Sequence, residues 1–372
     1  MRARTVLVSG AGLAGLATAY WLRHHGYEPT VVERAPGLRP GGQAIDVRGV
    51  ALDVLDRMDL LTDARRLRTR MRGMSMLDGA GEELWRSTEM AYSSGRLDSD
   101  DIELLRDDLT GLLYERARDG VEYLFGDSIA SLQERPDGVR VGFEGGRSRT
   151  FDLVVGADGL HSTVRRLAFG AEPEFLRHLG AYVGVFSTGN FLELDDWQVW
   201  LQEGDATYCV YPARGNSELR ATLGFTSGPL AHDHRDPEGQ KALLQERLGH
   251  LGWETPRLLT AMRQAPDFYF DAMAQIHLDR WTAGRVALVG DAGYCPSPLS
   301  GQGTSLALVG AYVLAAELGR AAEAGHRAAF DRYEARLRPF VTRNQALATE
   351  NPAGPAPEES IEAAKNALAL DG

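Results

Sequence analysis

The chain opens with a short apolar run, Thr5-Val6-Leu7-Val8, that breaks at Ser9-Gly10 and gives way to a stretch from Leu13 to His25 with the character of a helix. A second β-branched run, Thr30-Val31-Val32, closes on Glu33. Thr5 to Leu22 holds no charge over 18 residues and follows Arg2 and Arg4, as a signal peptide or membrane span would. Glycines at 10, 12 and 15 favour strand, tight turn, helix and strand instead. Two further buried-strand patterns end at an aspartate. Phe151-Asp152-Leu153-Val154-Val155-Gly156 runs into Ala157-Asp158-Gly159, and Arg285-Val286-Ala287-Leu288-Val289 runs into Gly290-Asp291-Ala292. The latter leads through Pro296, Pro298 and Gly301-Gln302-Gly303 into a helix from Thr304 to Arg320. Its apolar run, Leu306 to Ala316, stops at Glu317 after 11 residues and is too short to span a membrane.

Between these segments aromatic and β-branched residues alternate with polar ones over Ala181 to Ser187, Trp197 to Leu201, Thr207 to Pro212, Leu219 to Thr226 and Phe268 to Leu278, the pattern of a half-exposed antiparallel sheet. A last long helix, His326 to Glu350, carries Ala329, Phe330, Tyr333, Leu337, Phe340 and Val341 at helical spacing and reads as a brace across two domains. Asn351 to Pro357 has linker composition and joins a final short helix to the body.

At 372 residues, 44% of them hydrophobic, this is a globular chain past the size where one core stops growing, so two packed domains or one with a large insertion are expected. Lys+Arg 40 against Asp+Glu 52 gives 40 − 52 = −12, which argues against nucleic acid as the main partner. Cys209 and Cys295 form no CxxC pair, which leaves no disulfide framework or cysteine zinc site and makes a reducing cytoplasm the expected home. No P-loop, HExxH or GxSxG occurs. His232-Asp233-His234 lies in a polar loop without a third ligand spaced around it, and reads as solvated. His161 reads as structural.

Chemistry begins at Gly10-Ala11-Gly12-Leu13-Ala14-Gly15, between strand and helix, with Glu33 closing the next strand. Gly10 allows the turn, Gly12 the approach of a pyrophosphate to the helix N-terminus, and Gly15 the packing of helix on strand. Glu33 would receive hydrogen bonds from a ribose and disfavours a 2′-phosphate, so the nucleotide is FAD or NAD rather than NADP.

With its three aspartate- and glycine-marked strand ends, the chain resembles the class A flavin-dependent monooxygenases, the para-hydroxybenzoate hydroxylase-like family. The resemblance rests on Gly10 to Gly15 with Glu33-Arg34, on Ala157-Asp158-Gly159 with Ser162 and Arg165, and on Gly290-Asp291-Ala292 with Pro298 and Gly301-Gln302-Gly303. Within that family Gly41-Gly42-Gln43-Ala44-Ile45-Asp46 and Ile102 to Leu109 are similar to segments of the tetracycline-inactivating monooxygenases. The resemblance implies an α/β fold. A Rossmann-like FAD domain of the glutathione-reductase type (1–70, 101–172 and 281–325) would hold an inserted, mostly antiparallel β substrate domain (71–100 and 173–280), with C-terminal helices over 326–372.

It also implies roles. Asp291 would hold the ribityl chain, and Arg106 would reach the ribityl and phosphate region. Arg34 would lie against the adenosine, Asp158 would touch FAD and the nicotinamide donor, and Asp46 would stand beside the isoalloxazine. Pro298 would stiffen the loop at the ring edge. Gly301, Gln302, Gly303, Thr304 and Ser305 open a helix whose N-terminus would stabilise negative charge on reduced flavin. The reactive centre would be the flavin, forming a C4a-hydroperoxide with O2, and not a side chain. NADPH or NADH would be the donor at a transient site, since no second nucleotide-binding domain is present. Trp200, Tyr211 and Arg220 are candidates for the pocket of an aromatic substrate. Where relatives often carry histidine after Gly-Asp-Ala-Ala, Tyr294 stands, and the tryptophan motif of flavin halogenases finds no match.

The expectation is an NAD(P)H-consuming FAD monooxygenase that hydroxylates a phenolic or polycyclic small molecule, monomeric or homodimeric. A same-fold dehydrogenase or oxidase, an epoxidase or Baeyer-Villiger variant, and a flavin-binding protein without turnover remain open.

Overall fold

Five parallel strands end along one edge of the first sheet, and that edge organises the rest of the molecule. The computed structural model describes residues 4–93, 95–231, 233–321, 325–351 and 354–370. Its first sheet runs in the order Thr282–Ala283, Val286–Leu288, Leu153–Gly156, Arg4–Ser9, Tyr27–Glu33 and Glu122–Phe125. Neighbours are parallel except at the edge, where 282–283 runs antiparallel to 286–287. Val6, Leu7, Val8, Val154, Val155 and Leu288 are wholly buried, which explains runs with no alternation. The helix Leu13–His24 packs against Gly303–Arg320 and Arg106–Ala117. A three-stranded antiparallel sheet, Ile129–Arg135, Gly138–Phe143 and Ser148–Phe151, carries the chain from Glu122–Phe125 to Leu153–Gly156.

The second sheet has seven strands, in the order Tyr269–Ile276, Leu176–Gly189, Glu218–Thr226, Ala206–Ala213, Trp197–Glu203, Gly73–Leu77 and Glu83–Ser87. It is antiparallel apart from the pairing of Gly73–Leu77 with Trp197–Glu203. The five alternating segments are strands as expected, and Leu176–Gly189 runs longer at both ends than 181–187 because ladder pairing carries its polar ends past the apolar stretch. The strands Gly73–Leu77 and Glu83–Ser87 and the helices Pro237–Leu248 and Thr255–Gln264 are additions to the sequence reading. Register assigns the two faces. Tyr182, Phe186, Leu201, Tyr208, Leu223 and Phe225 form one side and build a separate core with Leu244, Leu248, Leu258 and Met262 of the two helices. The opposite side, with Gln198, Trp200, Cys209, Tyr211 and Arg220, turns toward the edge of the parallel sheet.

The helix Gly325–Glu350 ties both sheets together. Tyr333 donates to the carbonyl of Leu288 at 2.8 Å, and the Gln345 amide donates to the carbonyls of Ile276 at 2.8 Å and Cys295 at 3.2 Å. Glu317, which ends the apolar run of the preceding helix, is buried and held by Arg320, Arg332 and Arg336. Among the described residues no helix is long and apolar enough to cross a membrane.

Candidate active site

Gly10 leaves the first strand at φ +102°, and its N–H donates to the carbonyl of Val32 at 2.7 Å. A Cβ on Gly10 would stand 2.6 Å from the Ala157 carbonyl oxygen, and one on Gly15 would stand 1.9 Å from that of Gly10. A Cβ on Gly12 would meet nothing within 4 Å. Two glycines thus permit packing, while the third leaves open ground before a helix whose cap, Gly12, has no side chain to occupy the first-turn N–H groups. Leu13 and Ala14 begin that helix half-buried, and Arg34 is exposed. The Glu33 carboxylate is pinned by the N–H of Ala11 at 2.9 Å and of Ala35 at 2.8 Å.

Asp158 accepts from the hydroxyls of Ser162 at 2.5 Å and Ser9 at 3.4 Å and from the N–H of Val164 at 3.1 Å. Burial raises its pKa, and the bonds from Ser162 and Val164 work against the rise. Arg165 is wholly buried: it donates to the carbonyls of Ala292 at 3.0 Å and Leu160 at 2.6 Å and to Glu172 at 2.8 Å, joining the Asp158 turn to the Asp291 turn. Asp291 follows Gly290 at φ +64°, where a Cβ would press on that of Ala14 at 2.9 Å. Burial lifts the Asp291 carboxyl to about 6, the Cys295 thiol opposing. Tyr294 is wholly buried with its hydroxyl 3.0 Å from that of Tyr333. It is a packing group under the helix Gly303–Arg320, where a Cβ on Gly310 would collide with the same hydroxyl.

Pro298 starts a single 3-10 turn, Pro298–Ser300, between Ser297 at φ +72° and Gly301 at φ +64°. The N–H of Gln302 donates to the Ser300 hydroxyl at 3.1 Å. Gln302 is wholly buried, yet neither atom of its carboxamide has a partner. Thr304 and Ser305 are buried, and the Ser305 hydroxyl accepts the N–H of Arg48 at 3.2 Å. Asp46 pairs with Arg48 at 2.9 Å, and a Cβ on Gly301 would lie 3.6 Å from both side chains. In the ladder of Ala44–Val47 with Ile102–Leu105, Asp46 sits opposite Glu103, and both are buried. Burial lifts Asp46 to about 7, with Arg48 opposing and Glu103 adding; burial also raises Glu103. Arg106 follows directly: its Nη2 donates to the carbonyls of Arg39 at 3.1 Å, Pro40 at 3.4 Å and Gly41 at 2.7 Å, while its buried Nε faces Gly42 unpartnered. Burial, with Arg39 beside it, lowers this guanidinium to about 10.

The inner face of the second sheet docks on these loops. The Tyr211 hydroxyl accepts the N–H of Ala44 at 2.6 Å, and Arg220 bonds the Ser187 hydroxyl and lies 3.2 Å from Glu218 and 3.8 Å from Asp107. Both are buried in the junction. Trp200 is half-buried, with its ring edge-on to Tyr92 at 5.5 Å and its Nε1–H donating to Gln198 at 3.1 Å. Of the histidine loop, His232 lies outside the described residues, and His234 stacks on His161 at 4.6 Å.

A family model described as FAD binding domain matches residues 3–348. The tetracycline destructase Tet(51) has the same fold, with a TM-score of 0.89, 35% identity and both chains covered in full. A flavin-dependent monooxygenase of Legionella longbeachae is 42% identical over 340 residues, 91% of this chain and 86% of its own length. The chain belongs to the FAD-dependent monooxygenases. An uncharacterized protein of Mycobacterium tuberculosis is also similar, 58% identical over 362 residues, 96% of this chain and 97% of its own length.

The residues present fit FAD on grounds of their own. A Cβ on Gly12 would meet nothing within 4 Å, and the buried carboxamide of Gln302 and the Nε of Arg106 have no partner within the protein, so each can take a hydrogen bond from a bound cofactor. Several residues of this monooxygenase site escaped the sequence reading. Arg48 had a usable signal, since it stands two residues beyond Asp46 on an extended chain. Glu103 had none, because only strand pairing brings it opposite Asp46.

His161 bridges the two sheets, with Nδ1 2.8 Å from Glu172 and Nε2 3.1 Å from Asp271, whose other oxygen accepts the Tyr269 hydroxyl at 2.9 Å. Burial alone would lower its pKa, but the bonds to Asp271 and Glu172 outweigh burial and raise it to about 9. The imidazolium's contribution, of the order of 1–3 kcal/mol, is therefore complete below the unfolded value near 6.5 and fades as pH rises through about 9. The urea stability gap between wild type and His161→Phe is expected to be widest below pH 6.5 and to narrow toward pH 10; a gap independent of pH would contradict the bridge.

Proposed function

We propose that this monooxygenase uses NAD(P)H and O2 to hydroxylate an aromatic or polycyclic, polyketide-like small molecule in the cytoplasm. Gly10, Ala11, Gly12, Leu13, Ala14 and Gly15 would bind the pyrophosphate, with Glu33 and Arg34 at the adenosine. Asp158, Asp291 and Arg106 would hold the middle of the cofactor. Asp46, Pro298, Gly301, Gln302, Gly303, Thr304 and Ser305 would border the ring. Bound FAD supplies the redox chemistry: reduction by the donor, then activation of O2 so that one oxygen enters the substrate and the other leaves as water.

The side chains supply position and environment. Segments 71–100 and 173–280 would form the substrate domain, consistent with the strands Gly73–Leu77 and Glu83–Ser87 joining the seven-stranded sheet. The inner face of that sheet, with Tyr211 and Arg220, would close the ring from water, while Trp200 offers a flat surface farther along it. The observation that carries this reading is the buried, unpartnered carboxamide of Gln302 at the head of Gly303–Arg320, within a loop facing Asp46 and Arg48. A polar group so placed costs stability unless something bonds it, and the edge of a flavin presents both donors and acceptors. The likeness to Tet(51), a tetracycline destructase, supports a polycyclic substrate.

The test is reoxidation of photoreduced enzyme in aerated buffer, alone and with candidate phenols and polycyclic compounds, following flavin absorbance and peroxide. The expected result is that one compound lowers the peroxide yield and gains one oxygen atom by mass. Full peroxide yield with a compound that is itself dehydrogenated would replace this reading with an oxidase or dehydrogenase. Asp291→Ala is expected to purify with less than a tenth of the wild-type flavin content, and full retention would remove Asp291 from the cofactor site.

A further inference from the structure

Asp46 and Glu103 stand directly opposite each other in the ladder of Ala44–Val47 with Ile102–Leu105, only 9% and 6% exposed. Opposed carboxylates repel, and burial adds to the cost unless one of them holds a proton. A single guanidinium serves both: Arg48 pairs with Asp46 at 2.9 Å, and its charge also acts on Glu103. Two carboxyls, one guanidinium and one shared proton are neutral together, whichever carboxyl carries the proton. Glu103 accepts the Thr69 hydroxyl at 2.5 Å through Oε2, while its Oε1 is buried without a hydrogen bond, as is Nε of Arg48. A buried carboxyl oxygen left unpaired is a place for a proton or a donor to arrive.

The pair separates two environments. On one side both acids line a cavity of about 850 Å3 whose other lining includes the exposed Arg65, Arg68 and Arg70. On the other, the Asp46 carboxylate would lie 3.6 Å from a Cβ on Gly301. No residue of the 298–305 loop lines the cavity, so the acids themselves, and not open space, join it to that loop. Asp46 is faced by Arg48 and by Asp101, which is tied to Lys365 at 2.8 Å. Cys209 and Tyr211 lie near Glu103 from the second sheet, Ser305 comes from Gly303–Arg320 to the Arg48 N–H, and Arg66 and Arg96 complete the charges around the cavity. Burial lifts Asp46 to about 7 and raises Glu103 too, so the pair exchanges protons near neutral pH.

We propose that Glu103 and Asp46 form a proton relay into the flavin site, Glu103 taking a proton at the cavity and Asp46 releasing it beside Gly301. The inference rests on the monooxygenase reading, whose balance consumes one proton: substrate C–H, O2, NAD(P)H and H+ become C–OH, NAD(P)+ and water. With the second sheet closed over the ring, that proton needs a path through side chains. Opposed ladder positions hold their Cβ atoms about 5 Å apart, close enough for transfer directly or through one water. In each transfer the O–H bond on Glu103 breaks as the one on Asp46 forms, and the cavity reprotonates Glu103.

Reoxidation of photoreduced holoenzyme in aerated buffer tests the relay without donor or substrate, since anionic reduced flavin and O2 take up one proton for each peroxide released. Proton uptake, followed with a pH indicator, is expected to slow at least tenfold in Glu103→Gln and in Asp46→Asn, so the test survives misfolding of either variant. Added formate, a small acid able to enter the cavity, should restore most of the loss in Glu103→Gln, and Glu103→Asp should stay within a few-fold of wild type. At equilibrium, the absorbance of oxidised holoenzyme should show a step near pH 7 that is absent in Asp46→Asn and moves to lower pH in Glu103→Gln, where the like charge that holds Asp46 up is gone. Unchanged uptake in Glu103→Gln, a loss that formate leaves in place, or an absorbance step that is missing in wild type or unmoved in Glu103→Gln overturns the relay. If the variants behave as expected while a compound is dehydrogenated and none gains oxygen, the relay stands and the monooxygenase reading falls; a substrate oxygenated by Glu103→Gln at the wild-type rate does the reverse.

Discussion

Gly15→Ala is expected to cost about 3 kcal/mol or more and to leave the purified protein without flavin. Its Cβ would sit 1.9 Å from the carbonyl oxygen of Gly10, backbone against backbone, where no rotamer gives relief. The turn that carries Gly10 is itself confined, since a Cβ on Gly10 would meet Ala157 at 2.6 Å, so the collision spreads into the Asp158 strand end. Gly12→Ala separates packing from binding at the same loop. Its Cβ would enter open space, so apo stability should be unchanged while FAD affinity falls at least tenfold, because the methyl stands where a pyrophosphate must approach. Urea unfolding of apo proteins and FAD titration measure both. Equal stability of Gly15→Ala and wild type would contradict the tight crossing of helix and strand.

Arg165→Met is expected to cost about 3–5 kcal/mol, the second large effect. It strips the donors from the carbonyls of Ala292 and Leu160 and from the Glu172 carboxylate in one substitution, at a wholly buried site. Glu172→Gln keeps an acceptor for Arg165 and removes only the charge, so a smaller loss is expected. Chemical denaturation of both variants is the check: a loss below about 1 kcal/mol for Arg165→Met would mean that the guanidinium does not carry the link between the Asp158 and Asp291 turns.

Much of the parallel sheet was legible because its strands are short, β-branched and buried on both faces, and two of them run into glycines at backbone angles that other residues rarely adopt. Gly10 at φ +102° and Gly290 at φ +64° are positions that L side chains rarely adopt, so glycine there marks a turn before any contact is known. The strand Glu83–Ser87 was illegible for the opposite reason. Most of its residues are exposed at the sheet's edge, and hydrogen bonding to Gly73–Leu77, not an apolar rhythm, makes it a strand. Nothing along the chain marks Tyr294 as a packing residue, and only its burial against Tyr333 shows it.

The sequence by itself determined the three strand ends, the acid at Glu33 and the glycines that let a helix N-terminus stand open, because these are constraints on φ, on alternation and on local hydrogen bonding. The tertiary structure decided which polar groups meet: Tyr211 with Ala44, Arg220 with Asp107, His161 with Asp271 and Asp46 with Glu103. These partners lie from 57 to 167 residues apart, and a one-residue slip of a strand would turn a partner to the opposite face. Such pairs are set by register and docking, which depend on the folded whole and leave no periodic trace along the chain.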